Sequence, residues 1–172
     1  MTGKRDRKRL LSNIPLPEQN LAGLAAGLVL QRVVPLRIGR PSGPASPLLT
    51  TAGAASLAAG GTLVTWAWFA ARNTRLAHPE ALVTGGPYAF SRNPMYLGCA
   101  LIQLGAGLLQ NNAWMVAALP VASAAMHREV LREEAFLAEA FGERFTQYRR
   151  SVPRYAGSAL APGSQCRREG RR

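Results

Sequence analysis

Two long stretches without Lys, Arg, Asp, Glu or His, residues 41–71 and 93–126, constrain the fold of this chain more than any other feature. An α-helix rises about 1.5 Å per residue, so about 20 apolar residues cross the roughly 30 Å hydrocarbon core of a bilayer. The two stretches therefore have room for about three crossings. Residues 21–36 form a weaker fourth candidate, because polar residues and a proline interrupt it. The pattern predicts an all-α, integral membrane helical bundle with about four transmembrane helices.

Turn and helix-stop signals set the boundaries of these spans. The prolines and glycines of residues 37–47 predict a loop, and the uncharged Gln110-Asn111-Asn112 predicts a tight turn. Pro94 suits a first helical turn, and Gly142 is well placed to end a fourth helix that continues past the membrane. The sequence predicts three parts: a basic cytoplasmic arm at 1–20, a membrane domain at 21–155 and a basic disordered tail at 156–172. Within the membrane domain the predicted spans lie at about 21–36, 48–71, 94–110 and 113–126, and the last helix continues to 141 as a cytoplasmic extension.

The charge of the chain is distributed unevenly around these spans. The formal net charge is +12, from 21 Lys and Arg against 9 Asp and Glu. With a cytoplasmic amino terminus and four crossings, only Arg32, Arg37 and Arg40 fall on the outer side. This asymmetry fits the positive-inside rule, with both termini in the cytoplasm. No nucleic-acid-binding motif accompanies the basic residues, so we interpret them as topological and lipid-facing and exclude nucleic acid as a partner.

Polar side chains that could carry chemistry lie at the base of the third predicted span and just beyond the fourth. Glu133 and Glu134 have no cation three or four residues away on their own helix. They therefore need partners from elsewhere, such as Arg72, Arg75, Arg92 or a cationic ligand, unless both carboxylates simply face water. Arg92 could hold a carboxylate or phosphate through two hydrogen bonds, or serve as a snorkelling anchor at the end of a span.

The small residues and the isolated histidines also have interpretations that involve no chemistry. Gly105 and Gly107 lie within the third predicted span, where small residues favour close helix packing. The alternative is that they make room for a flat ring system between helices. His78 and His127 lack the spacing of metal ligands, so the sequence predicts no metal site.

Five short motifs follow one another in the carboxyl-terminal half. They are Gly86-Pro87-Tyr88, Arg92-Asn93-Pro94-Met95-Tyr96-Leu97-Gly98, Glu133-Glu134, Phe141-Gly142 and Tyr148-Arg149-Arg150-Ser151-Val152-Pro153-Arg154. Their order and spacing over about residues 82–155 resemble the isoprenylcysteine carboxyl methyltransferase family, which is similar to the phospholipid N-methyltransferases.

The resemblance implies a small membrane enzyme, in a bacterial inner membrane, that binds S-adenosylmethionine near the cytoplasmic face. The family's Arg-His-Pro-x-Tyr motif and glutamate pair surround the cofactor, and the phospholipid enzymes add a Gly-x-Gly element. The implied cofactor-binding residues are Arg92, Asn93, Pro94, Tyr96, Gly105, Gly107, Glu133 and Glu134, of which Arg92 and Tyr96 are also the candidates for a catalytic role.

One position departs from the family pattern. The family's histidine is Asn93 in this chain. An amide can donate and accept hydrogen bonds but cannot take up a proton as imidazole does. We therefore expect Asn93 to replace the histidine by hydrogen-bonding the cofactor. If the histidine instead serves as an acid or base, this chain has lost that function or uses another group.

The expected function is transfer of a methyl group from S-adenosylmethionine to a lipophilic or small acceptor, a carboxylate, amine or thiol. The expected partners are the bilayer and that acceptor, and the oligomeric state stays open. Two alternatives remain: an NADPH-dependent membrane reductase resembling the sterol reductases, and a non-catalytic four-helix membrane protein.

Overall fold

The structure is a computed structural model that describes residues 18–39, 46–72 and 81–156. Within these ranges it contains five α-helices, one short 3-10 helix and no strand. The helices are α1 (Glu18–Val33), α2 (Pro47–Ala71), α3 (Pro94–Leu109), α4 (Ala113–Phe141) and α5 (Glu143–Ser151), with the 3-10 helix at Gly86–Ala89 before α3. The all-α prediction is confirmed for this part of the chain. Residues 1–17 of the predicted arm and 157–172 of the predicted tail lie outside the described ranges.

The helix ends follow the signals in the sequence. Ser46 caps α2, because its Oγ accepts a hydrogen bond of 3.3 Å from the backbone N–H of Leu49. Asn112 caps α4 in the same way, accepting from the N–H of Met115 at 3.2 Å. Gly142 ends α4 with a φ of +53°, a conformation that favours glycine. Each predicted span therefore corresponds to a helix, and the fourth does run on to residue 141.

Helices α2 and α3 approach each other closely along two pairs of glycines. A Cβ atom on Gly60 would lie 2.6 Å from the carbonyl oxygen of Gly98, and one on Gly105 would lie 2.7 Å from that of Gly53. No larger side chain fits at these contacts without moving a backbone. On α2 the two glycines are seven residues apart, and so are the two on α3, which places the glycines of each helix on one face. This packing fixes α3, and with it the motif at its amino-terminal end.

Buried side-chain amides connect α1 to the carboxyl-terminal half of α3 and to the start of α4. Asn20 Nδ2 donates to Gln103 Oε1 at 2.8 Å, and Gln103 Nε2 donates to the carbonyl of Met115 at 3.2 Å. Asn112 Nδ2 donates to the carbonyl of Gly27 at 3.0 Å. A hydrogen bond in a low-dielectric interior is costly to lose, so this network orients α1 against α3 and α4. It lies away from the amino-terminal end of α3.

The described helices differ in their capacity to cross a membrane. By length and composition, α2 alone among them could do so, and only 11% of its most apolar window is buried by the rest of the protein. A core helix of a soluble domain would be mostly covered, whereas α2 presents its apolar surface outward. Helix α3 is apolar but has 16 residues, fewer than a full crossing requires. The prediction of about four transmembrane helices is thus supported in part.

Candidate functional site

Six of the eight predicted site residues meet around a cavity of about 380 Å³, and the two helical glycines do not line it. It lies where the amino-terminal end of α3 faces the carboxyl-terminal half of α4 and helix α5. Its lining consists of Ala81, Leu82, Val83, Tyr88, Arg92, Asn93, Pro94, Met95, Tyr96, Arg132, Glu133, Glu134, Phe136, Leu137, Phe145 and Tyr148. The whole Arg-Asn-Pro-x-Tyr motif and the glutamate pair are therefore brought together, as the sequence predicts, in a largely apolar enclosure.

Glu134 lies between two arginines. Arg154 donates to both of its carboxylate oxygens, from Nε at 2.9 Å and from Nη2 at 2.8 Å. Arg92 Nη1 lies 2.8 Å from one of the same oxygens, Oε1. Burial alone would raise the pKa of Glu134, but the hydrogen bonds from Arg154 and the positive charges of Arg92 and Arg154 outweigh it and lower that pKa. The carboxylate is therefore ionised, and the three groups together carry one net positive charge.

Arg92 keeps unused hydrogen-bonding capacity beside the cavity. Its side chain is 9% exposed, and its Nε is buried without a hydrogen-bond partner among the described residues. Its Nη1 is close to Glu134 but is not aligned for a hydrogen bond. Burial lowers the pKa of Arg92, and the charge of Glu134 opposes that change; a guanidinium stays protonated in proteins. A buried, incompletely paired guanidinium on a cavity wall is suited to receive an anion.

Glu133 forms a second polar centre on the cavity wall. The Tyr96 hydroxyl donates to its Oε1 at 2.7 Å. Within the described ranges no cation forms an ion pair with Glu133. Desolvation raises the pKa of Glu133, the hydrogen bond from Tyr96 lowers it in part, and the charge of Glu129 raises it again. The carboxylate remains accessible, so it can accept a cation or a hydroxyl group from a ligand.

The segment of residues 152–155, named here the C-terminal strap, is hydrogen-bonded to the residues around Arg92. The N–H of Arg92 donates to the carbonyl of Pro153 at 2.9 Å. The carbonyl of Arg154 accepts from Ser91 Oγ at 3.3 Å and from Asn93 Nδ2 at 3.1 Å. In this structure Asn93 donates its hydrogen bond to the strap. The expected hydrogen bond from Asn93 to the cofactor stays a prediction.

Helix α5 supports the other wall of the cavity. The buried hydroxyl of Tyr148 donates to the carbonyl of Tyr88 at 2.7 Å, which ties α5 to the 3-10 helix. Phe145, Tyr148 and Val152 form one apolar cluster. Burial, with a smaller contribution from the charge of Glu133, raises the pKa of Tyr88 to about 12, so this ring stays neutral. Helix α5 was not among the predicted elements, although apolar residues three and four apart after Gly142 are a helical signal.

Two predicted cofactor residues lie in helix contacts. A Cβ atom on Gly105 would meet the backbone of α2, and one on Gly107 would lie 2.8 Å from Val116 Cγ2 of α4. Neither glycine lines the cavity. The structure therefore supplies a packing reason for both, and their role in cofactor binding stays a prediction.

The remaining candidate groups lie elsewhere. Arg72, a possible partner of the glutamates, places its guanidinium 5.7 Å from the centre of the Phe69 ring. Arg75 and His78 lie outside the described ranges. His127 Nδ1 is 2.9 Å from the Tyr155 hydroxyl, and the described part of the chain contains no group of three or more potential metal ligands. Arg154 is a partner of Glu134 that the sequence did not predict, because no spacing rule places the segment after α5 against α4.

Comparison with known proteins identifies the family. The family model described as phospholipid methyltransferase matches residues 48–144, more than half of the chain. The chain belongs to this family. The match spans α2, α3 and α4 and therefore includes both the Arg92 motif and the glutamate pair, whereas the C-terminal strap lies beyond it. The family resemblance seen in the motifs is confirmed.

Two known proteins are similar to this chain over part of its length. The chain is 38% identical over 113 residues to the cobalt-zinc-cadmium resistance protein CzcN of Cupriavidus metallidurans, covering 64% of this chain and 50% of that protein. It is 36% identical over 83 residues to the protein-S-isoprenylcysteine O-methyltransferase of Schizosaccharomyces pombe, covering 47% of this chain and 34% of that protein. The chain thus matches half or less of the length of each relative.

Proposed function

We propose that this protein is a membrane-embedded methyltransferase that takes its methyl group from S-adenosylmethionine and transfers it to a lipophilic acceptor. One observation carries the proposal. A single cavity presents a net positive cluster with an unpartnered donor on Arg92 and, separately, a carboxylate on Glu133 that has no ion-pair partner among the described residues. The incompletely paired guanidinium of Arg92 is buried, which is costly without an anionic partner, whereas the exposed carboxylate of Glu133 is open to a cation. This pair of centres favours a ligand that carries both signs of charge.

The amino-acid portion of S-adenosylmethionine carries both signs. Arg92 would hold its carboxylate through its incompletely paired guanidinium on the cavity wall, because charge-assisted bonds to guanidinium are strong and directional. Glu133 would hold its ammonium or a ribose hydroxyl, with Tyr96 fixing the orientation of the carboxylate. Glu134 has both oxygens occupied by arginines and therefore organises the cationic cluster.

The chemistry of methyl transfer makes few demands on the protein. When bound, S-adenosylmethionine supplies an electrophilic methyl group on a sulfonium centre. The contribution of the chain is to align the acceptor with that centre and to exclude water. The apolar wall of Leu82, Val83, Phe136 and Leu137 suits both tasks.

The acceptor reaches the site from the bilayer in this proposal. The family description names phospholipids, and the name of the S. pombe relative names an isoprenylated cysteine, both lipophilic groups. The outward apolar face of α2, together with the exposed Phe90 and Phe136, favours a membrane location for the cavity mouth. We extend this to four membrane-associated helices, α1 to α4, with the cavity at the cytoplasmic face.

Binding measurements on purified protein test the proposal. Isothermal titration in detergent should show binding of S-adenosylmethionine and none of NADPH. Glu133→Gln should weaken binding at least roughly tenfold, or about 1.4 kcal/mol. Glu139→Gln, a change of the same chemistry at an exposed position of α4, should leave it unchanged. Binding of NADPH instead would favour the reductase, and binding of neither would overturn both enzymatic assignments.

A second measurement identifies the acceptor class. Membranes containing the protein are incubated with methyl-labelled S-adenosylmethionine, and label is then measured in lipid, protein and volatile fractions. We expect label in the lipid fraction or in lipid-modified protein, and its loss in Glu133→Gln. Label confined to water-soluble or volatile products would contradict a lipophilic acceptor.

A further inference from the structure

Two arginines pair with the carboxylate of Glu134, and one pairs with it more completely than the other. Arg154 occupies both carboxylate oxygens in a two-bond pairing. Arg92 approaches one of those oxygens through a single nitrogen, without hydrogen-bond alignment, and its Nε has no partner among the described residues. The carboxylate thus pairs fully with the arginine farther along the chain and only partly with the arginine that lines the cavity.

We propose that Arg154 is a positioning residue, which holds Glu134 in this pairing and so leaves Arg92 free to bind the carboxylate of the methyl donor. The inference rests on the proposed function and adds a role for a residue outside the matched family region. Arg154 does not line the cavity and acts through Glu134.

Backbone hydrogen bonds hold the segment that carries Arg154 against the segment that carries Arg92. Its carbonyl accepts from Ser91 and Asn93, the two neighbours of Arg92, and the N–H of Arg92 donates to Pro153. Both guanidinium groups therefore extend from segments that are bonded to each other. These bonds keep the Cα atoms of both arginines close to Glu134.

Loss of Arg154 has a definite electrostatic consequence. The wild-type cluster of two arginines and one glutamate carries one net positive charge. In Arg154→Ala the net charge is zero, and Glu134 can turn both oxygens to Arg92, because guanidinium and carboxylate pair best through two bonds. Arg92 would then have less capacity for an anionic ligand. Adding Glu134→Gln restores one net positive charge and removes the competing carboxylate.

The test compares two ligands that differ by the carboxylate alone. Dissociation constants of S-adenosylmethionine and decarboxylated S-adenosylmethionine are measured by titration for wild type, Arg154→Ala, and Arg154→Ala with Glu134→Gln. In Arg154→Ala, S-adenosylmethionine should bind at least tenfold more weakly, while affinity for the decarboxylated ligand stays within threefold. The double variant should recover most of the lost preference. Arg154→Lys should be intermediate, because an ammonium cannot span both oxygens of a carboxylate in the way a guanidinium does.

A control and a decision rule complete the design. Arg150→Ala removes an exposed cation of α5 and should change neither constant. The proposal requires both a selective loss in Arg154→Ala and a recovery in the double variant. Equal weakening of both ligands, or any other pattern in a chain whose wild type binds S-adenosylmethionine, overturns it. A wild-type protein that binds neither ligand overturns the proposed function itself.

Discussion

Asn93 Nδ2 donates a hydrogen bond of 3.1 Å to the carbonyl oxygen of Arg154. Asn93 is buried, with 8% of its surface exposed, and it immediately follows the arginine on the cavity wall. The bond needs a donor only, and no proton has to be exchanged. The replacement of the family's histidine by asparagine is therefore compatible with the geometry, because an imidazole N–H could make the same kind of bond.

Substitution at Asn93 should separate hydrogen bonding from acid-base chemistry. Asn93→His should keep the affinity for S-adenosylmethionine within about fivefold of wild type. Asn93→Leu removes a buried hydrogen bond and should lower the free energy of unfolding by about 1–3 kcal/mol. Thermal unfolding in detergent and titration measure the two quantities. Equal damage by both changes would show that shape, and not the donor, matters at this position.

The sequence predicted helices better than partners. The signals at Pro94, at the turn of residues 110–112 and at Gly142 are local, so they could be recognised without knowing the tertiary structure. The pairing of Glu134 with Arg154 depends on how the strap returns to α3, which no spacing rule describes. Its pairing with Arg92 was within the predicted set, because the lack of a cation on α4 required one from elsewhere.

The helical glycines show the same limit. The sequence could show that Gly105 and Gly107 are small and lie on a predicted span, which is compatible with packing and with ligand binding. The observed contacts with Gly53 and Val116 provide the packing explanation. Which neighbour a small residue faces depends on the crossing of two helices, and a single sequence does not specify that crossing.

Cofactor binding should depend on pH through Glu133. The pKa of this carboxylate is raised above its ordinary value near 4.3, so its negative charge develops as pH rises through the raised value. Affinity for S-adenosylmethionine should therefore increase as pH rises above the ordinary glutamate value and level off once Glu133 is fully ionised. Titrations across this range measure the effect.

Glu134 serves as the internal contrast for that experiment. Its pKa is lowered, so it is ionised throughout the same range, and its stabilising contribution is lost only when pH falls below the ordinary glutamate value. Glu133→Gln should abolish the pH dependence of binding. A profile that persists unchanged in this variant would assign the titration to another group.

The tie between α5 and the 3-10 helix can be tested at Tyr148. Tyr148→Phe removes the hydroxyl that donates to the carbonyl of Tyr88 at 2.7 Å, leaving a buried acceptor without that donor. The free energy of unfolding should fall by about 1–2 kcal/mol. Tyr155→Phe, which removes a less buried hydroxyl 2.9 Å from His127, should cost less in the same thermal assay. The reverse order would contradict a structural role for α5.

Adjacent glycines on α2 offer a matched test of how closely α2 and α3 pack. A Cβ atom on Gly60 would lie 2.6 Å from the carbonyl oxygen of Gly98 and 2.9 Å from the N of Ile102, whereas nothing lies within 4 Å of one on Gly61. Alanine favours a helix over glycine by about 1 kcal/mol at either position, so the two changes share that gain. Any difference between them then measures the contact with α3.

Gly61→Ala should keep or raise the thermal midpoint, and Gly60→Ala should lower the free energy of unfolding by about 1–3 kcal/mol through overpacking. Because α3 begins at the Arg92 motif, its displacement in Gly60→Ala should also weaken S-adenosylmethionine binding, while Gly61→Ala binds as wild type. Equal midpoints for the two variants would show that α2 and α3 can separate at no cost. A destabilised Gly60→Ala that binds normally would show instead that the site is insensitive to the position of α3.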